Sequence, residues 1–190
     1  MSTRLSLAAL LLPCALAADI EKHPHHPTDT RSLADAAKGL GVYIGTAIGV
    51  PHLKDKSYDA LDTQNYNLIT AENACKMYSI ARSETNFDAS DCNRLRDMAK
   101  ANNQAFRAHN LVWAGPGFRN PSFVNEEKDY AKLEKFMNTY IASTVKSVGD
   151  YPIVWDVVNE AIDDDTHNFI KESPWKHIDD FVCKAFKAAK

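Results

Sequence analysis

The sequence predicts an α/β fold in which strands and helices alternate, and three observations carry that expectation. Short runs rich in β-branched residues recur along the chain; longer segments between them place apolar residues at helical spacing; and Gly, Pro, Asn or Asp stand at many of the junctions. The clearest run is Ile153-Val-Trp-Asp-Val-Val-Asn-Glu160, in which Ile153, Val154, Val157 and Val158 are β-branched. That composition fits a buried strand better than a helix. In a parallel α/β layout, side chains at the C-terminal ends of strands are offered to a ligand. The Asn-Glu pair closing this run is therefore a candidate site, with its carboxyl group a candidate proton donor.

Taken in order, residues 1–18 carry Arg4, an apolar Leu5–Leu12 and a small-residue Ala15-Leu-Ala17, the pattern of a secretory signal peptide. The mature chain is expected to be secreted, with no segment long and apolar enough to span a membrane. Residues 19–31, with Glu21-Lys-His-Pro-His-His-Pro27, read as a flexible polar lead-in and not as a metal site. The folded part begins at residue 32. Val42–Ala47 reads as the first strand, Lys54–Asn65 as a helix, and Asn67–Glu72 as the second strand. Ser90–Asn102 is a helix with Leu95, Met98 and Ala99 as its apolar stripe. Ala105–Trp113 is the third strand, broken from the next helix by Gly115-Pro-Gly117. Tyr130–Val148 is the longest helix, with Leu133, Phe136, Met137, Tyr140, Ile141 and Val145 on one face and Gly149 at its end. Ile153–Asn159 is the fourth strand. Ser173 is expected to cap a last helix with Pro174 at its first position, running through Ile178, Phe181, Val182 and Phe186.

Four βα units in succession imply a parallel sheet with right-handed crossovers. Two architectures satisfy this: an open doubly wound sheet, or half of an eight-stranded barrel. Gly45-Thr-Ala-Ile-Gly49 lacks the third glycine of a phosphate-binding fingerprint and precedes Pro51, which argues against dinucleotide binding. No cofactor and no metal are expected.

The net charge of −3 and the lack of any Lys/Arg cluster argue against a nucleic-acid partner. Without residues 1–18, Cys75, Cys92 and Cys183 remain, which allows one internal bridge and one free thiol. Cys75 and Cys92 are the nearer pair in sequence, although sequence alone does not fix the geometry. The acidic Asp163–Asp165 reads as a solvated loop.

Polar residues gather at the ends of the expected strands. The second strand ends in Glu72-Asn73, with Lys76 close behind; the third carries Arg107, His109 and Trp113; the fourth carries Trp155, Asp156, Asn159 and Glu160. Each has an ordinary reading: a core histidine, tryptophans as core filler, Glu72 and Lys76 as a surface helix pair. Jointly, carboxylate, amide, ammonium, imidazole and indole at three successive strand ends point to one cleft. Aromatic faces that stack on a pyranose, with amides and charges that grip hydroxyls, suit a sugar.

These motifs resemble those of the family 10 glycoside hydrolases, whose typical activity is endo-1,4-β-xylan hydrolysis. The resemblance covers residues 32–190 and rests on Trp155-Asp-Val-Val-Asn-Glu160, supported by Gly45-Thr-Ala47, Ile69-Thr-Ala-Glu-Asn73 with Lys76, Arg107-Ala-His109-Asn-Leu-Val-Trp113 and Ser173-Pro-Trp175. It implies a TIM (β/α)8 barrel acting with retention on xylan or xylo-oligosaccharides. Glu160 is then the general acid/base, and Asn159 contacts the sugar 2-hydroxyl at the cleavage site. Glu72, Asn73 and Lys76 hold xylose hydroxyls on the non-reducing side, while His109 and Trp113 line the floor beside the scissile bond.

The chain departs from the family's pattern at Met77, Ala81-Arg82, Ala108 and Ala114, where tryptophan, Glu-Pro, glycine and histidine are usual. Such barrels typically need about 250 residues. With its fourth helix ending near Lys190, the chain is expected to supply about four βα units, a truncated half-barrel without the seventh-strand glutamate that serves as nucleophile. Open parallel edges and an uncovered inner face of Val, Ile and Leu then predict self-association, pairing with another fragment, or poor stability. A non-catalytic relative that binds xylan or a xylanase inhibitor as a decoy is the alternative expectation.

Overall fold

The computed structural model describes residues 31–115, 117–168 and 173–190. The expected signal peptide and nearly all of the polar lead-in lie outside the described residues. A short helix α1 (Leu33–Gly39), capped by the Ser32 side chain, leads in. Then come β1 (Gly45–Ile48), a 3₁₀ turn over Val50–Lys54, α2 (Lys56–Asn65), β2 (Leu68–Ala71), α3 (Met77–Ile80) and α4 (Ser90–Ala101). The third and fourth units are β3 (Ala105–Trp113), a 3₁₀ turn over Gly117–Arg119, α5 (Ser122–Glu126), α6 (Tyr130–Val148), β4 (Val154–Asn159), a 3₁₀ turn over Pro174–His177 and α7 (Phe181–Ala189).

The four strands form one parallel sheet in the order β1-β2-β3-β4. A doubly wound sheet reverses its direction of growth at a switch point. Here each strand joins the one before it, so the sheet winds one way only, as in a barrel. One face carries Ile69, Phe106, Ala108 and Val157, all buried in a core shared with Leu95 of α4, Phe136, Tyr140 and Ile141 of α6 and Ala185 of α7. Fully burying each of the larger side chains contributes about 1.5–3 kcal/mol. Helix α6 supplies most of the cover because Leu133, Phe136, Met137, Tyr140, Ile141, Thr144 and Val148 recur every three or four residues. Asp129 caps it, accepting from the amides of Ala131 (3.1 Å) and Lys132 (3.0 Å), and Gly149 at φ 77° ends it.

The other face differs from expectation. Residues paired across neighbouring strands share a face, so Leu68, Thr70, Ala105, Arg107, His109, Val154 and Asp156 lie together on it. Its centre is a charged network and not a continuous Val/Ile/Leu surface.

Two elements also start elsewhere than the sequence suggests. Part of the Val42–Ile44 segment is held by a side chain instead of strand pairing: Asn67 Oδ1 accepts from the Ile44 amide (2.7 Å) and Asn67 Nδ2 donates to the Val42 carbonyl (3.2 Å). β1 therefore begins only at Gly45, where the backbone comes so close to Leu68 that a Cβ would meet its carbonyl oxygen at 2.9 Å. The helix expected from Ser173 is split, because Ser173 caps only the 3₁₀ turn. Asp180 is left-handed (φ 53°) before α7 starts at Phe181.

Cys75 and Cys92 are disulfide-bonded with Cα atoms 4.8 Å apart, tying the segment after β2 to α4, while Cys183 is exposed and free. For a sequence separation of 17, loop-closure entropy makes this bridge worth about 3 kcal/mol. The Cys75→Ala/Cys92→Ala variant is expected to lose about that much in urea unfolding. A loss below about 1 kcal/mol would show the bridge to be incidental.

Candidate functional site

The site is assembled from the C-terminal ends of β2, β3 and β4. Trp113 and Asn159 are directly paired at the ends of β3 and β4, and the Ala114 amide donates to the Asn159 carbonyl (2.9 Å). Glu160 comes immediately after in left-handed backbone (φ 50°), a conformation uncommon for a residue with a long side chain. Its carboxylate is exposed, and Oε2 accepts from Trp113 Nε1 (2.6 Å) and Arg119 Nε (3.3 Å).

Lys76 joins this group from the β2 side. The residue is 9% exposed, its Nζ lies 4.6 Å from the Trp113 ring centre, and it donates to Asn73 Oδ1 (2.9 Å). The Tyr78 hydroxyl donates to the same oxygen (2.8 Å). Burial lowers the Lys76 ammonium below its ordinary pKa, and the charges of Glu72 and Glu160 oppose that fall. Lys76 thus sits in the field of both carboxylates. Glu72 and Lys76 are not a surface helix pair: Glu72 follows β2, and Lys76 is the residue before α3. Glu72 is held along β1 by its amide, which donates to the Ile48 carbonyl (3.0 Å), and its carboxylate rests on Gly49, where a Cβ would stand 2.9 Å from Oε2. A cleft of about 500 Å³ opens there, lined among others by His52, Glu72, Asn73, Tyr78 and Arg82. Burial first, and then Glu72, raise the Tyr78 phenol above its usual pKa.

His109 belongs to a second cluster on the polar face of the sheet. Thr70 pairs with Arg107, so continuing the β2–β3 register two residues sets Glu72 level with His109, which itself pairs with Asp156. Arg107 grips Asp156 through Nε (2.9 Å to Oδ2) and a terminal nitrogen (2.8 Å to Oδ1), and His109 Nδ1 lies 2.8 Å from Oδ2. Burial would raise the Asp156 carboxyl, but hydrogen bonds and charge from Arg107 and His109 prevail and hold it below the usual range. The sign follows: a carboxyl depressed in the folded state stabilises above its unfolded value, about pH 3.9, and that stability is lost as pH falls through the lower folded one. Asp156→Asn is expected to be less stable than the parent at neutral pH and to have a shallower acid slope below about pH 4, measured as urea midpoints. Parallel slopes for the two proteins would refute this.

Six of the seven expected site residues therefore stand at or just beyond the β2, β3 and β4 ends, whereas His109 stands in the middle of β3, paired with Asp156. Arg119 was not legible as a site residue. Its one signal is Gly115, where a Cβ would overlap the Arg119 side chain. Asp163–Asp165 forms a turn in which Asp163 Oδ1 accepts from the amides of Asp165 (3.2 Å) and Thr166 (2.8 Å). Among the described residues no cluster of three or more His, Cys, Asp or Glu is placed to hold a metal ion, and no helix is long and apolar enough to cross a membrane.

Comparison with known proteins places this geometry. Endo-1,4-beta-xylanase A of Caldicellulosiruptor saccharolyticus is 30% identical over 151 residues, covering 77% of this chain and 44% of that protein. Endo-1,4-beta-xylanase D of Talaromyces funiculosus is 32% identical over 161 residues, covering 83% and 39%. Native xylanase 10B from Thermotoga maritima matches in structure with a TM-score of 0.76 at 26% identity, over 84% of this chain and 49% of that one. A mutant structure in complex with xylotriose matches with a TM-score of 0.74 at 27% identity, over 84% and 49%. The chain thus spans less than half the length of these relatives. Its four parallel strands, wound in one direction, correspond to part of a (β/α)8 barrel. The family model described as glycosyl hydrolase family 10 matches residues 32–190, so the chain belongs to that family.

Proposed function

We propose that this chain provides the acid/base and sugar-gripping side of a secreted endo-1,4-β-xylanase-type glycoside hydrolase that acts on xylan with retention. The observation that carries the reading is the convergence on Glu160: a carboxylate held by Trp113 and Arg119 and sharing the field of Lys76 with Glu72. In this reading Glu160 protonates the leaving glycosidic oxygen and later takes a proton from water. Both donors reach Oε2, so Oε1 is assigned to carry the proton. Glu72, Asn73 and Lys76 grip hydroxyls of the sugar on the non-reducing side, Asn159 takes the 2-hydroxyl, and His109 and Trp113 form the floor. The relative solved with xylotriose supports a xylo-oligosaccharide ligand. The signal-peptide pattern of residues 1–18 supports secretion to an extracellular polysaccharide.

Retention requires a second carboxyl group about 5–5.5 Å from the first, across the bond. Asp156 is engaged by Arg107 and His109, and Glu72 lies in the gripping cluster. No described residue is therefore assigned as nucleophile, which favours a second reading: binding of xylan, or of a xylanase inhibitor, without turnover. Two measurements on the chain separate them, release of reducing sugar from xylan and calorimetric titration with xylotriose. Turnover supports the first reading, xylotriose binding without turnover supports the second, and absence of both sinks the carbohydrate assignment.

A further inference from the structure

The loop after β3 carries a group that neither the proton transfer nor the sugar-gripping cluster uses. Phe118 is 75% exposed, and its ring stands edge-on to Trp113 with centres 6.0 Å apart and planes at 82°. The Arg119 guanidinium carbon lies 5.1 Å from the centres of both rings, while Arg119 Nε reaches Glu160. Neither residue lines the cleft beside Glu72. An exposed phenylalanine alone needs no explanation. This one is different because the loop presenting it is pinned: Asn120 Nδ2 donates to the carbonyls of Trp113 (3.2 Å) and Gly115 (2.9 Å), and Asn125 Nδ2 donates to that of Gly117 (2.8 Å). The fold thus holds an uncovered ring and a stacked cation against the carboxylate of Glu160.

We propose that Phe118 and Arg119 form a second sugar subsite, in which a pyranose of the same oligosaccharide packs its C–H face on the Phe118 ring and takes a hydroxyl hydrogen bond from the Arg119 guanidinium. The proposal rests on the xylo-oligosaccharide reading and extends it, because two separated subsites make affinity depend on chain length. The flat ring and the planar donor suit a neutral sugar.

The test is calorimetric titration of the chain with xylotriose and with xylohexaose, for the parent, Phe118→Ala and Phe118→Tyr. The parent is expected to bind xylohexaose more tightly than xylotriose. Phe118→Ala is expected to lose about tenfold on xylohexaose, in line with one lost stacking contact, and to match the parent on xylotriose. Phe118→Tyr, which keeps the ring, retains the xylohexaose affinity. The subsite is overturned if the parent binds both sugars equally, if Phe118→Ala binds xylohexaose as the parent does, or if it weakens both sugars alike. Failure of the parent to bind either sugar overturns the xylo-oligosaccharide reading, and the subsite with it.

Discussion

In the turnover reading, replacing Glu160 by Gln is expected to slow hydrolysis of xylan by about 10²–10⁴-fold, the range supplied by a positioned general acid. The amide is nearly isosteric and still accepts from the Trp113 indole N–H, so the loss falls on kcat while KM moves little. The change removes both the transferable proton of the first step and the base that later takes a proton from water. It therefore matters most when the leaving group is a sugar alkoxide, which needs that proton. An aryl xyloside with an acidic phenol as leaving group departs without it, and its first step is expected to slow much less. Pre-steady-state release of the phenol, which reports the first step alone, set against initial rates on xylan, checks this. Equal proportional losses on both would mean that Glu160 positions substrate and does not deliver a proton.

The second large effect concerns support, not chemistry. Trp175 has no exposed surface, and its Nε1 donates to the Trp113 carbonyl (3.1 Å) and to Asn120 Oδ1 (3.3 Å). It thereby links the 3₁₀ turn before α7 to the end of β3 and to the asparagine that pins the Phe118 loop. Trp175→Ala leaves a large cavity and unmade hydrogen bonds, at a cost of about 3–5 kcal/mol. That is a large share of the roughly 5–15 kcal/mol typical of a domain. Trp175→Phe keeps most of the volume and loses only the N–H, for about 1–3 kcal/mol. Urea unfolding of the two variants separates packing from hydrogen bonding. Equal losses would show that the indole N–H dominates.

How much could be read in advance varies with the kind of signal. β3 and α6 begin and end where the sequence places them, because long periodic segments bounded by Gly or by a capping Asp override most local ambiguity. The parallel sheet and the gathering of Glu72, Asn73, Lys76, Trp113, Asn159 and Glu160 were legible for a related reason: strand ends in a βα series share one side. β1 was set too early because Val42 and Tyr43 have strand-like composition, and the Asn67 side chain that bonds the Val42 carbonyl and the Ile44 amide lies 25 residues from Val42. The break before α7 turns on the left-handed Asp180, which periodicity does not register. α1, α3 and α5 are only 7, 4 and 5 residues long, too short to declare themselves by spacing. The Arg107–Asp156–His109 network and the reach of Arg119 to Glu160 depend on pairing between strands and on a loop path, neither of which a single sequence states.

The backbone at Glu160 has an evolutionary corollary. A left-handed residue with a long side chain costs about 1–2 kcal/mol that glycine at the same place would not incur. A population screened only for resistance to heat is accordingly expected to drift toward Gly or Asn at position 160.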